Sequence, residues 1–119
     1  MRILGIDPGL TRCGIGVIEV SPDRRTSFVT ALVLQTPKDL ALQERLMNLQ
    51  AQLDDVMRTY SPDEVAIERV FSQHNVRSAM ATAQAGAIAM VSAGRVARIT
   101  QTYTPTEVKA AVKIGRAHV

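Results

Sequence analysis

Gly5-Ile6-Asp7 and Ala66-Ile67-Glu68 repeat one pattern: a small residue, then isoleucine, then an acid. Each follows another apolar residue, Leu4 in one case and Val65 in the other, and so reads as the end of a buried strand. Side chains alternate across a strand, which puts Gly5 and Asp7 on one face and Leu4 and Ile6 on the other. By the same rule Ala66 and Glu68 oppose Val65 and Ile67. If the two strands are neighbours, both carboxylates project together over a floor of small residues. That leaves space above the sheet for ions and a bulky substrate.

Outward from these stretches the chain alternates strands and helices. Residues 3–7 form a strand closed by Asp7-Pro8-Gly9, and residues 14–20 and 28–35 form two more, joined by a turn at Ser21-Pro22-Asp23. Thr36-Pro37-Lys38-Asp39 has the composition of a helix start. Leu42, Leu46, Leu49, Leu53, Val56 and Tyr60 then recur at steps of three and four, one apolar stripe suited to lying on a sheet. Ser61-Pro62-Asp63 ends that helix and residues 64–68 return as a strand. A second helix is expected over about residues 73–93, with Gly94 as its stop. Ala79, Ala81, Ala83, Ala85, Gly86, Ala87 and Ala89 make this helix fit for close packing, on its own sheet or against another subunit. Residues 96–102 read as a last strand, and Thr104-Pro105-Thr106-Glu107 as a capping box opening a last helix. The order predicts an α/β domain, a mixed five-stranded sheet with helices on it.

Composition sets the outer bounds. At 119 residues, 46% hydrophobic and 21% charged, the chain suits one globular domain with a modest core. The formal net charge is +3, and eleven of the fourteen basic residues are arginine. Arginine favours bidentate contact with phosphate, so this balance permits a polyanionic partner without requiring one. Cys13 is the one cysteine, which excludes an internal disulfide and a cysteine-built zinc site. His74 and His118 have no companions at metal-ligand spacing and read as surface residues. Met1-Arg2-Ile3-Leu4 leads straight into a strand without a signal segment. The apolar run 79–93 is interrupted by Gln84 and falls short of the ~20 residues a membrane span needs. The expected location is cytoplasmic, with no membrane partner.

Two convergent carboxylates suit magnesium, a hard cation that takes oxygen ligands and keeps several waters. Two such ions about 4 Å apart can bind both the attacking water and the leaving oxygen of a phosphodiester displacement. Each acid also has an ordinary structural reading: Asp7 as a turn acceptor before Pro8-Gly9, and Glu68 as half of an exposed ion pair with Arg69. The repeated pattern argues against both.

These residues carry a resemblance. Gly5-Ile6-Asp7-Pro8-Gly9-Leu10-Thr11-Arg12-Cys13-Gly14 resembles the opening of the RuvC family of Holliday-junction resolvases. Ala66-Ile67-Glu68-Arg69-Val70-Phe71, followed by Asn75, Gln84, Ala85 and Gly86, resembles a second region of that family. Thr104-Pro105 with Glu107-Val108-Lys109-Ala110-Ala111-Val112 resembles a third, in the same order. The resemblance implies a ribonuclease H-like fold and a homodimer that cuts four-way DNA junctions with two magnesium ions per site. It also implies cooperation with the RuvA–RuvB branch-migration complex. Asp7 and Glu68 fall on the family's first two metal-binding acids and are the expected catalytic residues. Phe71 falls on an aromatic residue set against bases at the junction centre, and Lys109 on a lysine used near the DNA. Arg12, Arg69, Asn75 and Arg77 lie in or beside the motif loops and are the further expected DNA contacts.

The resemblance runs over residues 1–112, taken as an incomplete nuclease domain, and stops there. The family continues with a lysine-bearing helix and two more acids, whereas Lys113-Ile114-Gly115-Arg116-Ala117-His118-Val119 reads as a non-native tail with no acid after Glu107. With two of four carboxylates, the 119-residue chain itself is expected not to cleave. Two other readings start from similar first strands: a RuvC-like nuclease that processes ribosomal RNA precursors, and a fragment of an actin-like ATPase. Against the first, Phe71 after Ala66-Ile67-Glu68-Arg69-Val70 fits the junction resolvases better; the second needs another phosphate loop and an adenosine site that this sequence does not contain.

Overall fold

The computed structural model describes residues 1–68 and 76–100, without the side chains of residues 76–78 and 100. Five strands and two helices follow one another as β1 (Arg2–Asp7), β2 (Cys13–Val20), β3 (Thr26–Leu34), α1 (Leu42–Tyr60), β4 (Glu64–Ile67), α2 (Val76–Gly94) and β5 (Arg98–Thr100). They form one mixed sheet in the order β3-β2-β1-β4-β5. The pairs β1–β2 and β2–β3 are antiparallel, while β1–β4 and β4–β5 are parallel. The five-stranded α/β architecture expected from the sequence is what forms.

The register puts Leu4 and Ile6 beside Val17 and Ile15 on one side, and beside Val65 and Ile67 on the other. These six residues make one apolar face. The buried stripe of α1 (Leu49, Leu53, Val56 and Met57) and the small residues Ala85, Ala89 and Ala93 of α2 close over it in a single core. Each fully buried leucine or isoleucine stabilises the fold by about 1.5–3 kcal/mol. Alanines on α2 let it pack beside α1 and still reach β4 and β5. Met57 joins the core although the stripe read from the sequence passes over it.

Three local expectations are corrected. Thr36 does not start the helix: α1 begins at Leu42 behind Ala41, which makes no side-chain cap. Thr36 is buried instead, and its hydroxyl donates to the Leu10 carbonyl at 2.7 Å. Leu42, placed on the buried stripe, is 45% exposed in the first turn of α1. Gly94 does end α2, but as its last helical residue, without the left-handed geometry of a glycine stop. Among the described residues the positive-φ positions fall on Arg24, in the β2–β3 turn, and on Ser61, which ends α1 with its amide donating to the Met57 carbonyl. Where β2 passes from Val17 to Ile18 the register shifts, with Val29 as the extra residue on the edge strand β3. The start of the second helix at residues 73–75, the last part of the 96–102 strand, the helix expected from Thr104 and the tail 113–119 lie outside the described residues.

Candidate functional site

β1 and β4 run parallel, with Gly5 beside Ala66 and Ile6 beside Ile67. One step further along, the Glu68 amide donates to the Ile6 carbonyl at 3.0 Å. That bond carries the parallel pairing past the end of β4 and sets Glu68 level with Asp7. Neighbouring strands lie about 4.8 Å apart, so the two carboxylates leave the sheet side by side on the face away from α1 and α2. The same face holds Gly16 opposite Gly5 and Gly14 opposite Asp7. Three glycines and Ala66 thus pave the sheet around the acids, a wider floor than Gly5 and Ala66 alone.

The ordinary reading of Asp7 fails on geometry, while Arg69, the partner in that of Glu68, lies outside the described residues. Among the described residues no hydrogen bond or ion pair engages the Asp7 side chain, so it is not a turn acceptor. Glu68 is 6% exposed, which does not suit an exposed ion pair. The donor set, two carboxylates over a floor of small residues, matches a hard cation with water in its remaining positions. Among the described residues no group of three or more histidine, cysteine or acidic side chains gathers around an ion position.

The loop between β1 and β2 shapes the mouth of the site. A Cβ on Gly9 would sit 2.3 Å from the Arg12 carbonyl oxygen, so only glycine lets the loop fold back this tightly. Leu10 anchors the loop in the core, and Thr11 and Arg12 stay exposed. Pro8 lies against Gly86 of α2. Thr36 and Arg45 brace the loop from below: Arg45 Nε donates to Thr36 Oγ1 at 2.9 Å, and Arg45 Nη2 reaches Thr11 Oγ1 at 3.5 Å. Sequence reasoning missed this brace, because Thr36 looks like a helix cap and its partner Leu10 is distant in the chain. Cys13 is packed at the base of the loop, its thiol pushed up from 9.0 to about 11 by burial. A Gly9 backbone hydrogen bond pulls the other way, and the Asp7 charge adds a small upward push.

Of the expected DNA contacts, Arg12 is exposed on this loop and Arg77 lies in the first turn of α2. The side chain of Arg77, together with Arg69, Phe71, Asn75 and Lys109, lies outside the described residues, as do His74 and His118.

Comparison with known proteins decides the family. The family model "Crossover junction endodeoxyribonuclease RuvC" matches residues 3–118. The chain belongs to the RuvC family. It is 52% identical over 112 residues to the RuvC crossover junction endodeoxyribonuclease of Salinispora arenicola, covering 94% of this chain and 64% of that protein. To the RuvC of a Parafrankia strain it is 51% identical over 118 residues, covering 98% of this chain and 66% of that protein. This chain therefore spans a little under two thirds of these relatives' length. T. thermophilus RuvC in complex with a Holliday junction substrate superposes with a TM-score of 0.76 at 26% identity, over 92% of this chain and 70% of that one. The ribonuclease H-like fold of RuvC resolvases is the fold of this chain. Neither the RNA-processing nor the ATPase reading gains support from these matches.

Proposed function

We propose that this RuvC-family chain carries the first half of a magnesium-dependent active site that resolves four-way DNA (Holliday) junctions in recombination and repair. One observation carries the reading: Asp7 and Glu68 stand level on adjacent parallel strands, over glycine, on the sheet face that α1 and α2 leave free. Asp7 and Glu68 would hold the magnesium ions, which supply an activated water and offset charge building on the scissile phosphate. The chain's own part is to keep two anionic oxygens fixed at the strand ends, over small residues. Removing either carboxylate would cost on the order of 10³-fold in rate, about 4 kcal/mol of barrier.

The remaining roles follow the resemblance. Phe71 stacks on a base opened at the junction centre, a contact worth about 1–3 kcal/mol where pairing is disrupted. Lys109, Arg12, Arg69, Asn75 and Arg77 bind the DNA around it. The working form is a cytoplasmic homodimer, one subunit per cut strand, that cooperates with the RuvA–RuvB branch-migration complex. No helix among the described residues is long and apolar enough to cross a membrane, which is compatible with that setting.

The 119-residue chain has no acid after Glu107, and by itself it is proposed to bind junctions without cutting them. The test is a chimera that joins residues 1–112 to the remaining part of the Salinispora relative. With magnesium it should cut a synthetic four-way junction, whereas the 119-residue chain should not. A chimera that folds and binds the junction but leaves it intact would sink the reading.

A further inference from the structure

The end of the sheet that bears Asp7 also holds a guanidinium that the carboxylate pair does not explain. Arg45, at the start of α1, is seated by Thr36, whose buried hydroxyl accepts from Arg45 Nε and donates to the Leu10 carbonyl. Its Nη2 reaches Thr11 on the exposed lip of the same loop. A guanidinium has five N–H donors, and these bonds use one edge of it. Arg2, Arg25, Arg58 and Arg95 each meet a carboxylate: Glu19, Asp23, Asp55 and Asp54. Among the described residues, Arg12 on the Asp7 loop and Arg45 of α1, which reaches that loop, meet none; Arg24 and Arg98, at the opposite end of the sheet, also meet none.

A fork-shaped cation held at one edge, without an acid to neutralise it, suits bidentate contact with a phosphate. Its orientation is already set, so little side-chain entropy remains to be lost on binding. We propose that Arg45, seated by Thr36 and reaching Thr11, the residue before Arg12, binds a backbone phosphate of the nucleic-acid strand that enters the carboxylate site. The assignment rests on the nuclease reading of Asp7 and Glu68, and it gives that site a phosphate contact on the α1 side. Phosphate contacts of this kind fix register and orientation and carry no sequence information. Arg45 is thus a binding residue and takes no part in bond breaking.

The test is the salt dependence of binding. The 119-residue chain is titrated with a fluorescent synthetic four-way junction in EDTA over a series of salt concentrations. Losing one phosphate contact lowers the slope of log K against log salt by about 0.9, so Arg45→Gln should show that drop. Arg45→Lys, which keeps the charge, should retain the slope. An Arg45→Gln slope equal to the parent's, with Arg12→Gln showing the drop, overturns the Arg45 assignment alone. A parent chain that binds no junction overturns it together with the nuclease reading. Should Arg45→Gln fail to fold, arginine modification by phenylglyoxal on the unaltered chain decides. Junction DNA should protect Arg45 and Arg12 while leaving Arg24 and Arg98 reactive. Equal modification of Arg45 with and without DNA overturns the assignment.

Discussion

Asp63 and Asp7 stand at opposite ends of two adjacent strands and are used in opposite ways. Asp63, just before β4, is tied to β1: its amide donates to the Arg2 carbonyl at 2.9 Å, and its Oδ2 accepts from the Arg2 amide at 2.7 Å. The Arg2 guanidinium adds a bond to the Tyr60 carbonyl and an ion pair with Glu19. Asp7, closing β1 at the other end, meets no described donor or cation. Its neighbours across the sheet are Gly14 and, one step along β4, the buried Glu68. One end of the sheet spends its carboxylate on backbone pairing. The other sets two carboxylates side by side at the strand ends, where like charges oppose each other and a shared cation would offset them.

Exchange of charge for amide should separate the two ends most sharply. In the chimera that restores the rest of the domain, Asp7→Asn or Glu68→Gln should lower junction cleavage by about 10³-fold or more. Neither change should lower the melting temperature. Asp63→Asn should leave the cleavage rate within a few-fold of the parent. Single-turnover cleavage beside thermal unfolding makes the comparison, and equal losses at the two ends would erase the distinction.

Gly9→Ala comes next. The added methyl group would have to displace the Arg12 carbonyl, so the β1–β2 loop must open. The expected cost is about 1–3 kcal/mol, as for other insertions into filled space. Thermal unfolding reads the loss, and junction binding should weaken with it because Arg12 moves. At the other end, Asp63→Ala removes the acceptor of the Arg2 amide. That amide is reachable by water, so the loss should be only about 0.5–1.5 kcal/mol, with junction binding unchanged.

The elements differ in how far they could be read beforehand. β1 and β4 were legible because their small-isoleucine-acid pattern encodes strand, face and register at once: parallel pairing of like with like puts Gly5 by Ala66 and Asp7 by Glu68. The α1 stripe was legible from its period, while its first turn was not. Thr36-Pro37 has the local chemistry of a cap, but Thr36 takes as partner Leu10, 26 residues away, and no local signal reports that. Arg45 escaped notice for the same reason, since on a helix surface it looks like any solvated charge. The irregularity opposite Val17/Ile18 gives the edge strand β3 one extra residue, Val29, which alternation alone does not reveal. Phe71 and Lys109 stay with the family resemblance that named them.

The smallest expected effect uses Cys13 as a reporter of the Asp7 charge. The folded thiol titrates near 11 and the unfolded one near 9.0, so the native state favours the protonated form. Its contribution to stability is therefore whole below pH 9.0 and is lost as pH rises toward 11. Cys13→Ala should flatten that part of the stability profile. Burial is the largest cause of the shift and the Asp7 charge the smallest, so Asp7→Asn should bring the thiol down by only a fraction of a pH unit. Asp63→Asn, at the far end of β4, should leave it where it is. Thiolate absorbance followed through an alkaline titration gives both answers. An unmoved thiol in Asp7→Asn would mean that the Asp7 carboxylate is already neutralised by something near it, and would undo the contrast between the two ends of the sheet.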